Sequence, residues 1–145
     1  MSKIVIIGAG AMGSAFALPC LDNNHDINII GTHLENNFID QLNKNNNLHP
    51  GLNTKIPKGI KIHKFVKFDK LIKSNVDLIV LGISSKGIEW VADQLSRIYK
   101  DGKIPNLLML TKGLSIHNDQ YELLVDKLER LLEDRGIKKV DISAV

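Results

Sequence analysis

The chain has one cysteine, Cys20, among its 145 residues. No disulfide can form within it, so stability must come from a packed core, which this length is enough to bury. Cys20 follows Leu18-Pro19 in an apolar helical stretch with nothing nearby to activate a thiol. It reads as a packed side chain in a reducing compartment rather than as a nucleophile. No apolar run approaches the ~18 residues of a membrane span, and Met1-Ser2-Lys3 leads straight into a strand pattern without a signal peptide. A cytoplasmic protein with no membrane span is the expectation. Blocks of one charge are missing too. The net charge is +3, and Lys55, Lys58, Lys61, Lys64, Lys67, Lys70 and Lys73 recur every three residues across Pro57 and Gly59, which break any helix that would align them. Those lysines are expected to be solvated surface, with no nucleic-acid partner and no metal site.

With 43% hydrophobic and 24% charged residues, the composition is that of an ordinary soluble globular protein. Its most informative stretch is Ile4-Val5-Ile6-Ile7 running into Gly8-Ala9-Gly10-Ala11-Met12-Gly13. This is a G-x-G-x-x-G with a β-rich run before it and a helical pattern after it. Each glycine has a physical job: Gly8 permits the tight turn, Gly10 lets a pyrophosphate approach bare backbone, and Gly13 lets the helix pack close to the sheet. The free N–H groups and positive dipole end of the helix would then face phosphates. The bland alternative is a tight strand-to-helix turn that binds nothing.

Along the chain, strand and helix patterns alternate. The first strand covers about Lys3–Ile7 and its helix about Ala11–Leu21, with Pro19 expected to kink or end it early. A turn at Asp22-Asn23-Asn24-His25 leads to a second strand at Asp26–Ile30 and a helix from about Glu35 to Asn45. The Asn36-Asn37 and Asn45-Asn46-Asn47 runs are expected in loops. A long loop opens at Leu48-His49-Pro50-Gly51. A third strand near Ile60–His63, a small helix at Asp69–Lys73 and a fourth strand at Asp77–Leu81 follow. Gly87–Tyr99 is amphipathic, with Ile88, Val91, Leu95 and Ile98 on one face, and Asp101-Gly102 ends it. The fifth strand is Asn106–Leu110. The strongest helix is expected over His117–Arg135, with Leu124, Val125, Leu128, Leu131 and Leu132 on one face and Gly136 at its stop. A sixth strand begins near Lys138 and contains Val140, Ile142 and Val145. This alternation predicts a Rossmann-type doubly wound parallel sheet of order 3-2-1-4-5-6, a single dinucleotide-binding domain over residues 1–145.

The strand ends that flank the topological switch point carry the candidate chemistry. After the second strand comes Gly31-Thr32-His33, where an NAD site often has an acidic residue; the first one here is Glu35. Thr32 can donate a hydrogen bond and His33 can add partial charge, and no arginine is present, so NAD and NADP both remain open. The fourth strand ends Leu81-Gly82-Ile83-Ser84-Ser85-Lys86. Ile83 can pack near the nicotinamide half, and Ser84 and Ser85 can donate to the coenzyme or cap the next helix. The fifth ends Thr111-Lys112-Gly113-Leu114, placing Lys112 at the mouth of an inner strand, where its ammonium can meet a carbonyl oxygen or phosphate. The Leu48–Gly51 loop either folds over the adenine or pyrophosphate or is purely structural.

Ile7-Gly8-Ala9-Gly10-Ala11-Met12-Gly13, Gly31-Thr32, Leu48-His49-Pro50, Val80-Leu81-Gly82-Ile83-Ser84-Ser85 and Thr111-Lys112-Gly113-Leu114 fall in the order and spacing of NAD(P)-dependent glycerol-3-phosphate dehydrogenase. The whole chain resembles the coenzyme-binding part of that family. The glycine loop is widely shared; the Thr-Lys-Gly-Leu together with the His-Pro loop is more specific. The resemblance implies interconversion of sn-glycerol 3-phosphate and dihydroxyacetone phosphate by hydride transfer with NAD or NADP. It implies a coenzyme site at Gly8, Ala9, Gly10, Ala11, Met12, Gly13, Thr32, His33, Ile83 and Ser84, with Lys112 touching both coenzyme and substrate. The family continues past its sixth strand with a Gly-Pro motif and a helical substrate domain carrying the lysine that acts as acid or base. Neither lies within residues 1–145, so this stretch alone is expected to be almost or wholly inactive, and to self-associate, as a homodimer for instance, through the cleft face and the edge of the sixth strand. A ketopantoate reductase-like NADP enzyme and a non-catalytic dinucleotide-binding module are the alternatives.

Overall fold

In the computed structural model, which describes residues 1–100 and 102–145, six parallel strands form the central sheet. They are β1 (Lys3–Ile7), β2 (Asp26–Ile30), β5 (Lys61–His63), β6 (Leu78–Leu81), β7 (Asn106–Met109) and β10 (Ile142–Ala144). Their spatial order is β10-β7-β6-β1-β2-β5, the expected 3-2-1-4-5-6 order. Helices α1 (Ala11–Asp22), α2 (Asn36–Lys44), α3 (Phe68–Ile72), α4 (Ile88–Ile98) and α5 (Leu124–Asp134) cover its two faces. Two small antiparallel hairpins lie outside the sheet: β3 (Leu48–His49) with β4 (Thr54–Lys55), and β8 (Leu114–His117) with β9 (Gln120–Leu123).

The continuous apolar run of β1 follows from burial on both faces, which parallel strands require. Val5 and Ile7 point into one core layer with Ile79, Leu81, Val91, Leu95 and Leu128, while Ile4 and Ile6 point into the other with Ala17, Ile27, Ile29 and Leu42. This alternation is the period of two that a strand imposes. Registers pair Ile7 with Ile30 and with Leu81. The carboxyl ends of β1, β2 and β6 therefore lie level on one rim, at the point where strand order reverses and α/β folds leave a crevice.

Several expectations need correcting. The helix expected from His117 begins only at Leu124, and β8 and β9 take the place of its first turns. Asn118 and Asp119 have φ of +50° and +61°, the pair of left-handed residues that a tight primed hairpin turn demands. The 3.6-residue apolar period holds from Leu124 through Leu128 to Leu132, all buried, and does not extend back to His117. Gly136, at φ +91°, ends the segment as expected. Pro19 neither ends nor shortens α1: it stands exposed in the last turn, where its missing N–H affects one bond, and its carbonyl accepts from Asn23 N and Nδ2. Asn36 and Asn37 open α2 instead of lying in a loop, and Asn36 Oδ1 accepts from Phe65 N. Asn46 and Asn47 do form a turn, both at positive φ. The loop expected to open at Leu48–Gly51 instead begins with the β3–β4 hairpin, in which Leu48 pairs with Lys55 and His49 with Thr54. Of the expected stop at Asp101-Gly102, Asp101 lies outside the described residues; α4 ends at Ile98. Of the spaced lysines all but half-buried Lys64 are exposed, and Lys61 and Lys64 pair with Asp26 and Asp40 at 2.8 and 2.6 Å.

Candidate functional site

Three glycines let the elements meet at the rim. Gly8 has φ +109°, and a Cβ there would collide with the Gly82 carbonyl. A Cβ on Gly13 would lie 2.6 Å from Gly8 O, and one on Gly82 would lie 2.8 Å from Gly13 Cα. β1, β6 and the first turn of α1 thus touch backbone to backbone. Gly10 is different: nothing lies within 4 Å of where its Cβ would be. Its bare backbone faces open space at the start of a helix whose first N–H groups have no intrahelical partners.

Between Gly8 and Gly10, Ala9 is clamped at both ends of its peptide groups. Its N–H donates to Glu35 Oε1 at 3.1 Å. Its carbonyl accepts from Ser14 Oγ and from His49 Nε2, each at 3.1 Å. His49 is 2% exposed, and its Nδ1 accepts from Gly51 N and Leu52 N at 3.1 and 3.2 Å. With Nδ1 taken as acceptor, the ring proton sits on Nε2 and donates to Ala9 O. The His-Pro segment therefore supports the glycine loop from behind. Glu35 Oε2 in turn accepts from Thr32 N at 2.7 Å, which ties the turn after β2 to the same loop.

Beside this loop lies a cleft of about 580 Å³, within the roughly 300–1,000 Å³ of small-molecule sites. Gly8, Gly10, Thr32, His33, Leu34 and Glu35 form one side, and Gly82, Ile83, Ser84, Lys86, Gly87 and Trp90 the other. Aromatic contacts stiffen its apolar end. His33 lies 5.0 Å from the ring of Trp90, which also packs on Phe65 and Phe68 at 5.7 and 5.8 Å. Such a space, with unblocked backbone at Gly10 and a polar turn at Thr32, fits a dinucleotide by shape and donor set.

Of the expected coenzyme residues, Gly8, Gly10, Thr32, His33, Ile83 and Ser84 line this cleft together. Ala9 and Gly13 are buried behind it, while Ala11 and Met12 stand exposed on the first turn of α1 and do not line it. Ser84 and Ser85 are exposed, and no side-chain cap is formed: Ser84 begins the following 3-10 turn through its carbonyl, which accepts from Gly87 N at 2.9 Å. Lys112 is exposed at the mouth of β7, in a neighbouring hollow of about 160 Å³ with Gly113, Leu124 and Ala144. Gly113, at φ +140°, makes the turn there, and Thr111 Oγ1 donates to Ile83 O, joining the two strand mouths. The absence of an acidic residue at the second strand's end needs revision, because folding returns Glu35 to that rim. Thr32-x-x-Glu35 is the spacing at which a glutamate reaches back to a backbone N–H before a helix, and that was the available signal. Gly82 follows the apolar run of β6 directly, but its contact with Gly13 has no local mark. Trp90 sits on the amphipathic helix like a core residue.

A titratable group outside the cleft lies near this rim. His63, at the end of β5, bonds Asn28 Oδ1 at 3.0 Å, and burial, then Lys67 and Lys61, push its proton affinity below the usual histidine range. At the far end of α1, in its last turn, burial pushes the Cys20 thiol up, which keeps it protonated.

The N-terminal domain description of NAD-dependent glycerol-3-phosphate dehydrogenase matches residues 3–142. The chain belongs to this family. It is 28% identical over 140 residues to the NADP(+)-dependent glycerol-3-phosphate dehydrogenase of Archaeoglobus fulgidus, covering 97% of this chain and 40% of that protein. It is 30% identical over 115 residues to a glycerol-3-phosphate dehydrogenase [NAD(P)+] of Bacillus pumilus, covering 79% and 31%. The crystal structure of glycerol-3-phosphate dehydrogenase from Coxiella burnetii superposes with a TM-score of 0.74 at 19% identity, over 99% of this chain and 40% of that one. The chain thus spans less than half the length of these relatives. As the coenzyme-binding domain of an NAD(P)-dependent dehydrogenase family, it takes NAD or NADP as its coenzyme. Among the described residues no helix is long and apolar enough to cross a membrane.

Proposed function

We propose that residues 1–145 form one dinucleotide-binding domain, the coenzyme-holding part of an oxidoreductase that interconverts sn-glycerol 3-phosphate and dihydroxyacetone phosphate. The observation that carries this reading is the cleft at the carboxyl rim, where backbone free of any Cβ at Gly10 faces open space between the turns after β1, β2 and β6. A bound nicotinamide supplies the hydride chemistry. The chain's own residues hold it. The Gly8–Gly13 loop and the backbone N–H groups that open α1, at Ala11 and Met12 beside the cleft, take the pyrophosphate; Thr32 and His33 take the adenosine side; Ile83 and Ser84 lie toward the nicotinamide. Lys112 reaches from the mouth of β7 toward coenzyme and substrate oxygen, where a fixed positive charge favours a carbonyl that gains electron density.

Hydride transfer also needs the substrate held close and a proton donor in reach. Within these residues Lys112 is the group we assign to the substrate, and it is exposed. Residues 1–145 by themselves therefore bind coenzyme and turn over dihydroxyacetone phosphate slowly or not at all. NADH oxidation by purified residues 1–145 at the rate of an ordinary dehydrogenase would contradict this.

The same exposure leads us to propose self-association. Leu114, Ile116, Tyr121 and Leu123 share one face of the β8–β9 hairpin and are 53–78% exposed. The opposite face is polar and anchored, with Ser115 and Arg130 both bonding Glu122. Four large apolar side chains on one small ribbon favour burial against another surface, a second copy when no other is present.

A further inference from the structure

The glycine that lets a phosphate come close also leaves the loop free to turn the wrong way. The peptide between Ala9 and Gly10 is trans, so its carbonyl and its N–H point in opposite directions. Gly10 has no Cβ, and glycine takes either sign of φ, so nothing in the loop's own sequence stops this peptide from flipping. Flipped, it would offer the Ala9 carbonyl to an anion where an N–H is needed. Two buried side chains hold it. His49 Nε2 and Ser14 Oγ each donate to Ala9 O at 3.1 Å. The Gly10 N–H, at the other side of the same plane, then points away from them. It has no hydrogen-bond partner among the described residues, and Gly10 lines the cleft.

His49 is itself held at both nitrogens. Its Nδ1 accepts from Gly51 N and Leu52 N in the turn of the β3–β4 hairpin, and the Phe38 ring of α2 meets it edge-on with centroids 5.3 Å apart. The hairpin rests on the first turn of α1, where a Cβ on Gly51 would lie 3.4 Å from Ala11 Cβ. The imidazole is thus a strut between hairpin and glycine loop.

We propose that His49 is a positioning residue for the coenzyme: it fixes the Ala9–Gly10 peptide so that the Gly10 N–H meets a pyrophosphate oxygen. This rests on the coenzyme reading above. Neither His49 nor Ser14 lines the cleft, so both act through the Ala9 carbonyl.

The test uses the whole 145-residue chain. NADH binding is read by fluorescence of Trp90, the only tryptophan, which lines the cleft. Inorganic pyrophosphate is the second probe, read by displacement of NADH and by the Gly10 amide resonance in isotope-labelled protein. In wild type, pyrophosphate is expected to displace NADH and to shift the Gly10 amide proton downfield. His49→Phe keeps a ring without a donor, and is expected to weaken both ligands about tenfold or more, a difference of ~1.4 kcal/mol or more, and to abolish the Gly10 shift. His49→Gln carries an amide N–H to nearly the same place and is expected to stay within about threefold of wild type. Should His49→Phe fail to fold, Ser14→Ala removes the second donor, leaves the hairpin intact, and is expected to weaken both ligands about threefold. Undiminished binding in whichever of these two variants melts cooperatively would overturn the proposal. So would equal losses in His49→Gln and His49→Phe, or a Gly10 amide unmoved in a wild type that binds pyrophosphate. If wild type binds neither probe, the coenzyme reading fails first; if variants and wild type bind alike, that reading stands and the role of His49 alone falls.

Discussion

Replacing Gly82 by alanine puts a methyl group where β6 meets the first turn of α1. Its Cβ would lie 2.8 Å from Gly13 Cα and 3.2 Å from Gly13 N. Both are backbone atoms, so no side chain can swing aside, and Gly13 is itself pressed against Gly8 O. Gly82 does not have a left-handed φ, so the effect is one of contact and not of dihedral strain. Overpacking of this kind costs about 1–3 kcal/mol. In a domain of this size each kcal/mol lowers Tm by ~2–4 °C, so a drop of about 2–12 °C is expected. Gly10→Ala is the matched control. Nothing lies within 4 Å of its Cβ and its φ of −66° suits alanine, so stability should hold or rise by a few tenths of a kcal/mol up to ~1. The same methyl projects where the pyrophosphate is proposed to lie and should weaken NADH binding about tenfold or more. Thermal melts and Trp90 titrations on both variants read the two effects separately. If Gly82→Ala melts with wild type, or Gly10→Ala binds NADH undiminished, the account of this rim is wrong.

Three other outcomes follow from the same geometry. His49→Ala removes a buried ring that makes one bond to Ala9 O and accepts two from Gly51 and Leu52; it should cost about 2–4 kcal/mol in a denaturant melt, and a loss under ~1 kcal/mol would show that the clamp is idle. His63 binds its proton less readily folded than unfolded, so the unfolded state gains the extra proton and stability should fall as pH drops through ~6.5. Asp26 and Asp69, held below the usual carboxylate range chiefly by hydrogen bonds from Lys61 and Arg97, add a second loss below about pH 4. A Tm that is flat from pH 7.5 to 5, or a His63→Gln variant with the wild-type slope there, would reject the first step. In light scattering after size exclusion, the wild-type chain should associate at high concentration and Ile116→Asp should reduce this; a clean wild-type monomer would dispose of the hairpin-face proposal.

The sheet was legible because its signals are local and redundant. Ile4–Ile7 and Leu78–Leu81 are short apolar runs bounded by glycine or polar turns, and their order fixes a doubly wound topology. The glycine loop was legible because Gly8 and Gly13 each answer a steric demand inside the same short stretch. The hairpin at Leu114–Leu123 was hidden, because Ile116, Tyr121 and Leu123 precede a strongly periodic helix and blend into it by composition. Only the Asn118-Asp119 pair marks the turn. Glu35 stands four positions past Gly31 in the sequence, a distance that hides it, whereas its capping-box spacing to Thr32 describes where the carboxylate goes. Gly82 against Gly13 and His49 against Ala9 are contacts over 69 and 40 positions of sequence, and no single-sequence pattern records them.

The central claim is that the cleft beside Gly8–Gly13 holds a nicotinamide dinucleotide. Titration of the wild-type chain with NADH, followed by Trp90 emission and by energy transfer to the bound dihydronicotinamide, tests it most directly. The account predicts saturable one-to-one binding tighter than ~1 mM that Gly10→Ala weakens. No saturation up to millimolar NADH, in a protein that melts cooperatively, would contradict it.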